Sequence, residues 1–342
     1  MIVRVLLFAL AVFFVGTATA AARMIPGSEG LGLSMTHRVS VPGAARDGPL
    51  PTPTPRPPPP YPANLAHCYA PRPADAGGFV LSPASTKSVL QSCQVIGFYG
   101  YPGTPGLGVL AQSPVAEMVQ SLVAQAAAYD ESNGPRGVVP VFHLIGAVAQ
   151  ASPGGDGLYL YQMPDATIRE WIGLAEQYGA LIVLDIQMGT STVDAEIGRV
   201  LPYLDSPYVH LAVDPEWAMP PGVAPGTIIG GMDASAINRA QELMSTYLTE
   251  HHLLDRMLLV HQFTDGMIRN KADLTTYPGV DLVIDTDGFG YASQKIGNYN
   301  RYIRDDGAPH GGMKLFYRRD IDLMTPGEVS ALVPQPDFVT YE

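Results

Sequence analysis

The chain has 342 residues, 46% hydrophobic and only 15% charged, with a formal net charge of -12. That is enough apolar material for one large domain or two ordinary ones. The acidic balance excludes binding to nucleic acid or to an anionic membrane surface through bulk electrostatics.

Residues 1–22 read as a secretory signal. Arg4 gives a basic start, residues 5–15 are an unbroken apolar run, and Ala18-Thr19-Ala20 offers a small-residue cleavage site. The run is shorter than the ~20 residues that span a bilayer. The expectation is a secreted or cell-surface protein with no membrane insertion after signal cleavage. Residues 23–64 carry no hydrophobic periodicity and include a proline-rich run from Pro51 to Pro60, a disordered linker of extended polyproline character. Residues 65–93 form an irregular lead-in. The only two cysteines, Cys68 and Cys93, fall within it, outside any CxxC or metal-ligand spacing. In an oxidising compartment they are expected to form one disulfide.

From residue 94 to 342 short apolar runs alternate with amphipathic ones. The runs at 95–99, 138–144, 181–186, 209–213, 227–231, 257–262, 281–284 and 313–317 predict strands. Val115, Met118, Val119, Leu122, Val123 and Ala126 recur at helical spacing, with Ser113 as N-cap and Pro114 in the first turn. A second helix is expected over 165–178, stopped by Gly179. Further helices fit 193–204, 235–250, 267–275 and 291–304. A last one over 326–332 opens with the capping box Thr325-x-x-Glu328. This strand–helix alternation over about 250 residues predicts an α/β fold, a (β/α)8 TIM barrel. The weak link is 218–226, Pro- and Gly-rich and too short for a full helix between the fourth and fifth predicted strands.

Active sites of such barrels form at the C-terminal strand edges. Polar residues collect there: His143, Asp185 with Gln187, Asp214 with Glu216, His261 with Gln262, Asp285 with Asp287, and Tyr317. Aromatic residues Tyr99, Tyr101, Trp217, Phe263 and Phe289 lie beside them. Carboxylates interleaved with rings suit a carbohydrate, whose C–H faces stack on rings while its hydroxyls bond to acids. Asp214 and Glu216, one residue apart on a strand, point the same way. Glycosidic cleavage needs one acid to protonate the leaving oxygen and a second group to stabilise the developing cation. Glu216 is the natural acid, with its pKa raised by Asp214, and Asp214 is expected to stay ionised. Asp185, Gln187, Trp217, Gln262, Asp285, Asp287, Tyr317, Tyr99 and His143 are candidate substrate-binding residues.

Asp214-Pro215-Glu216-Trp217 resembles the end of the Asp-x-Asp-x-Glu-aromatic motif on the fourth strand of chitinase-type glycoside hydrolases. Residues 95–100 resemble the first strand of those (β/α)8 barrels, and 311–317 the last. The resemblance implies Glu216 as acid/base and Asp214 as the group that positions the substrate's acetamido arm. Ala212 and Val209 stand where the family has its other two aspartates, Tyr317 near its usual tryptophan, and His261-Gln262-Phe263 in place of Tyr-Asp. Secreted lysozyme-like muramidases also carry Asp-x-Glu on this strand, but their first-strand aspartate is missing here. Two other classes fit the same residues. One is a non-catalytic surface barrel that binds glycans. The other is a hydrolase that holds Mg²⁺ or Ca²⁺ among the acids of the barrel mouth. No HExxH, Cys/His cluster, EF-hand, Gly-x-Ser-x-Gly or P-loop motif occurs, so no cofactor is expected.

Overall fold

The computed structural model describes residues 88–342, together with the backbone of two short antiparallel strands, Tyr69–Pro71 and Phe79–Leu81. The expected signal peptide, the Pro-rich linker and Cys68 lie outside the described residues. Cys93 is fully buried where the first barrel strand begins.

Eight parallel strands close into a barrel: β1 (Cys93–Gly100), β2 (Gly137–Ala149), β3 (Leu181–Gly189), β4 (Val209–Ala218), β5 (Arg256–Gln262), β6 (Val280–Thr286), β7 (His310–Leu315) and β8 (Phe338–Tyr341). Each pairs with the next, and β8 pairs with β1 to close the ring. Strands of a parallel barrel are covered on both faces, so they read as apolar runs rather than as alternating ones. The connecting helices are α1 (Val115–Asp130), α2 (Asp165–Tyr178), α3 (Val193–Val200), α4 (Ala234–Glu250), α5 (Ala292–Tyr299) and α6 (Pro326–Ser330). The longer ones, α1, α2 and α4, turn an apolar stripe to the barrel. In α2 that stripe is Ile168, Trp171 and Ala175, and Gly179 ends the helix in the left-handed conformation at φ 64°. The capping box of α6 forms as expected, Thr325 bonding to Glu328 in both directions.

Four local expectations are corrected. Residues 227–231 are not a barrel strand. Instead they brace the end of β4: the Gly230 N–H donates to the Glu216 carbonyl at 2.7 Å, and the Gly231 N–H to that of Ala218 at 3.2 Å. A Cβ at Gly230 would come within 2.6 Å of the Glu216 carbonyl oxygen, so glycine alone permits this approach. The short 218–226 segment is thereby explained, because the next barrel strand comes only after α4. Residues 338–341 supply the strand that completes the count, with all four buried. The helix expected over 267–275 is replaced by two 3-10 turns and a two-residue bridge, Ile268–Arg269 against Met232–Asp233. Finally, α1 is entered through Pro114 with no side-chain cap, so Ser113 does not serve as one.

Alternation along the strands turns Val95, Val139, Val141, Val183, Leu259, Val283 and Phe338 into the lower barrel, and all are fully buried. Phe338 meets the edge of the His143 ring at 5.7 Å between centroids. Truncating Phe338 to Ala therefore opens a cavity at the closing strand and is expected to cost about 3–5 kcal/mol of unfolding free energy. Urea denaturation measures this, and a loss under 1 kcal/mol would show that β8 does not close the core.

Candidate active site

Towards the C-terminal ends of the strands the inward positions switch from apolar to polar. Tyr99, His143, Asp185, Asp214, His261, Asp285, Asp287 and Lys314 are all buried there. Strand register sets their neighbours: His143 lies beside Tyr99, and Asp285 lies between His261 and Gly312. Gly312 matters because a Cβ there would sit 2.7 Å from an Asp285 carboxyl oxygen.

These groups form a chain of opposite charges across the barrel. The Tyr99 hydroxyl donates to Asp185 at 2.9 Å. His261 Nε2 is 3.5 Å from the same carboxylate, while its Nδ1 lies 3.1 Å from Asp287 and 3.3 Å from Asp285. Lys314 Nζ sits 3.4 Å from Asp287, 2.9 Å from Glu342 and 3.6 Å from the centre of the Tyr99 ring. Burial alone would discharge His261, but Asp185 and Asp287 hold its pKa well above the ordinary value. Burial would also raise Asp287, yet Lys314 and His261 bring it down to about 2. Asp185 is likewise held low against its burial, by His261 and His143. Outside this chain burial prevails. It takes His143 down to about 3 and Asp285 up to about 6.

Above the chain opens a pocket of about 290 Å³. The end of β4 supplies Asp214, Glu216 and Trp217 to it, and Asp214 accepts the Glu216 N–H at 3.1 Å. Asp287, Lys314, Glu342, Tyr99 and Gln187 also line the pocket. Phe263, Phe289 and Phe316 add aromatic wall, with Arg319 beside them. The wall is tied down by Lys295 of α5. Its ammonium donates to the Gly288 and Lys314 carbonyls and lies 3.5 Å from Asp320. Asp320 in turn accepts the Gly290 and Phe316 N–H groups at 3.0 and 2.8 Å.

Glu216 is raised to about 7, by burial first and then by the negative charge of Asp287. Asp214 is raised well above the usual carboxylate range, again chiefly by burial. The expectation of a protonated Glu216 agrees with this, whereas the expectation of an ionised Asp214 beside it is corrected. Both acids of β4 favour the proton, and the ionised carboxylate of the pocket is Asp287.

Of the other candidates, Gln187, Trp217 and Tyr99 reach the pocket, with the Gln187 side-chain oxygen occupied by the Ala149 N–H at 2.7 Å. Asp185, Asp285 and His143 lie buried and do not line it. Gln262 points off the pocket, its amide directed to the Thr264 carbonyl at 3.4 Å. Tyr317 is outside altogether. It is 40% exposed, stacks on Tyr341 and donates to Gln125 of α1. Lys314, Lys295, Glu342, Phe316 and Arg319 were not among the candidates. A lysine inside an apolar strand, as in Met313-Lys314-Leu315-Phe316, was the available signal for Lys314, since lysine is seldom buried unpaired.

One set of residues could hold an ion. His143, Asp185 and His261 each bring a ligand atom within 4.8 Å of the others. Both ring nitrogens of His143 and one oxygen of Asp185 are buried without a hydrogen-bond partner, and the His261 nitrogens face only the carboxylates of the charge chain. Two imidazoles and a carboxylate suit a transition metal better than Mg²⁺ or Ca²⁺. The acids of the mouth share their space with the Lys314 ammonium, and among the described residues they do not gather into such a set. No protein-family model matches the chain, and no curated protein matches it significantly.

A carboxyl held to about 7 in the fold, against an ordinary 4.5, keeps its proton where the unfolded chain has lost it. Stability attached to Glu216 is thus full below about pH 4.5 and is lost as pH rises through about 7. The variant Glu216→Gln lacks that loss. It is expected to gain stability on the wild type progressively between these two pH values, as read by urea denaturation at several pH values. A difference independent of pH would contradict a protonated Glu216.

Proposed function

We propose that this barrel is a glycoside hydrolase, distantly akin to the chitinase type, that cleaves a polysaccharide or glycoconjugate. One observation carries the reading. Glu216, protonated near neutral pH, shares an aromatic-walled pocket with Asp287, which is held ionised by Lys314 and His261.

In this mechanism the Glu216 carboxyl gives its proton to the glycosidic oxygen as the bond to the anomeric carbon breaks. The Asp287 carboxylate stabilises the positive charge that develops on the sugar. Water then attacks the anomeric carbon, and the Glu216 carboxylate takes its proton, which restores the starting state. Asp214, neutral through burial, offers an O–H to a polar group of the bound sugar, the place the chitinase resemblance gives to an acetamido arm. Trp217 and the phenylalanines supply the faces on which sugar rings stack. The proposal includes export of the chain and a Cys68–Cys93 disulfide.

The Glu216→Gln variant is expected to lower kcat by about 10²–10⁴-fold while still binding glycans. Wild-type activity should fall as pH rises above about 7, where Glu216 gives up its proton. Release of reducing ends from a glycan panel across pH measures both. Retained glycan with no reducing ends from the wild type would identify a binding module instead.

A second reading rests on the unbonded nitrogens of His143, which together with Asp185 and a deprotonated His261 would ligate a divalent transition metal. Dialysis against a chelator separates the two. The glycosidase is expected to keep its activity, whereas a loss restored by Zn²⁺ would favour the metal.

A further inference from the structure

A smaller cleft of about 130 Å³ opens beside the pocket and shares Phe316, Arg319 and Glu342 with it. Arg318 completes its basic side, facing a turn that contributes Pro105, Gly106 and Gly108. Arg318 and Arg319 are both exposed, and neither makes an ion pair among the described residues. Arg318 reaches only the neutral Gln112 side chain at 3.5 Å, and Arg319 lies 5.4 Å from the centre of the Phe289 ring. The one acid lining the cleft, Glu342, is bound to Lys314 at 2.9 Å.

Acidic residues outnumber basic ones 32 to 20, and Arg136, Arg169, Arg199, Arg239, Arg301 and Arg304 lie against carboxylates. Arg256 also lacks an acid, but it is buried and spends its donors on backbone carbonyls, and Arg269 stands singly away from the pocket. With so many acids available, two adjacent guanidinium groups are left with no acid of their own at the rim of the pocket. Each is planar, permanently charged and shaped to bind a carboxylate or sulfate through two parallel hydrogen bonds. A ring face under Arg319 restrains its plane without using its donors. Apart from the shared Arg319, the pocket has only the cation Lys314, which is already divided between Asp287 and Glu342.

We infer that this cleft is a subsite for an anionic substituent, a carboxylate or a sulfate, on a glycan bound in the pocket. The inference rests on the glycoside-hydrolase reading of that pocket. Aromatic walls take the sugar ring, and the arginine pair selects chains that carry negative charge, against the general repulsion from an acidic protein.

The test uses full-length protein with oligosaccharides of chitin and β-glucan as neutral probes, polygalacturonate and hyaluronan as carboxylated ones, and chondroitin sulfate as a sulfated one. Binding is measured by calorimetry on Glu216→Gln, and cleavage by reducing ends from the wild type. An anionic oligosaccharide is expected to bind more tightly than the neutral ones. Adding Arg318→Gln and Arg319→Gln should lower the ratio of anionic to neutral affinity at least tenfold and flatten its salt dependence. Whether the carboxylated or the sulfated probes respond tells the two groups apart. If neutral oligosaccharides are cleaved and the arginine changes leave the ratio unaltered, the substituent inference falls while the hydrolase reading stands. If no oligosaccharide of any class is bound or cleaved, both fall.

Discussion

The upper barrel depends on one arrangement: the buried imidazolium of His261 held between Asp185 on one side and Asp287 on the other, with Lys314 and Glu342 extending the alternation. Removing these charges from water is costly, and mutual attraction offsets the cost only when every member has its partner. Loss of any one member strands a charge in a region of low dielectric. Such a chain is a poor device for stability, since a packed apolar core of the same volume would serve as well. What it does provide is a fixed pattern of protonation. It keeps Asp287 charged, and the acids of β4, left to their burial, keep their protons.

Barrel geometry makes the chain possible. Inward positions of neighbouring strands sit side by side, so single polar residues far apart in sequence meet in one layer. Space for them comes from the residues that are missing a side chain. Gly312 leaves room for Asp285, and Gly230 lets the loop before α4 press its backbone onto the end of β4 beneath Glu216. The outer wall follows the same logic. Lys295 and Asp320 join the loops after β6 and β7, and so hold Phe289 and Phe316 on one side of the pocket.

The periodicity of the chain already indicated the barrel, because strands covered on both faces and helices covered on one leave different hydrophobic patterns. Seven of the eight strands were legible in that way. The apolar run at 227–231 was misleading, since Ile228 and Ile229 are 47% and 41% exposed and serve a loop. Residues 338–341 escaped notice because four residues after a proline-rich turn are too few to show a period. Their place is decided by the gap between β1 and β7 that only a folded barrel creates.

At the site, the shared face of Asp214 and Glu216 was already readable in the chain, because alternation along a strand is a local property. So was the gathering of acids and aromatics at the strand ends. Which acid is charged emerges from the folded barrel alone, since a carboxyl's proton depends on the depth of its burial and on cations delivered by other strands. Asp287 owes its ionisation to Lys314 and His261, which lie 27 and 26 positions away in the chain. No local pattern carries that information, because these contacts exist only once β5, β6 and β7 lie side by side.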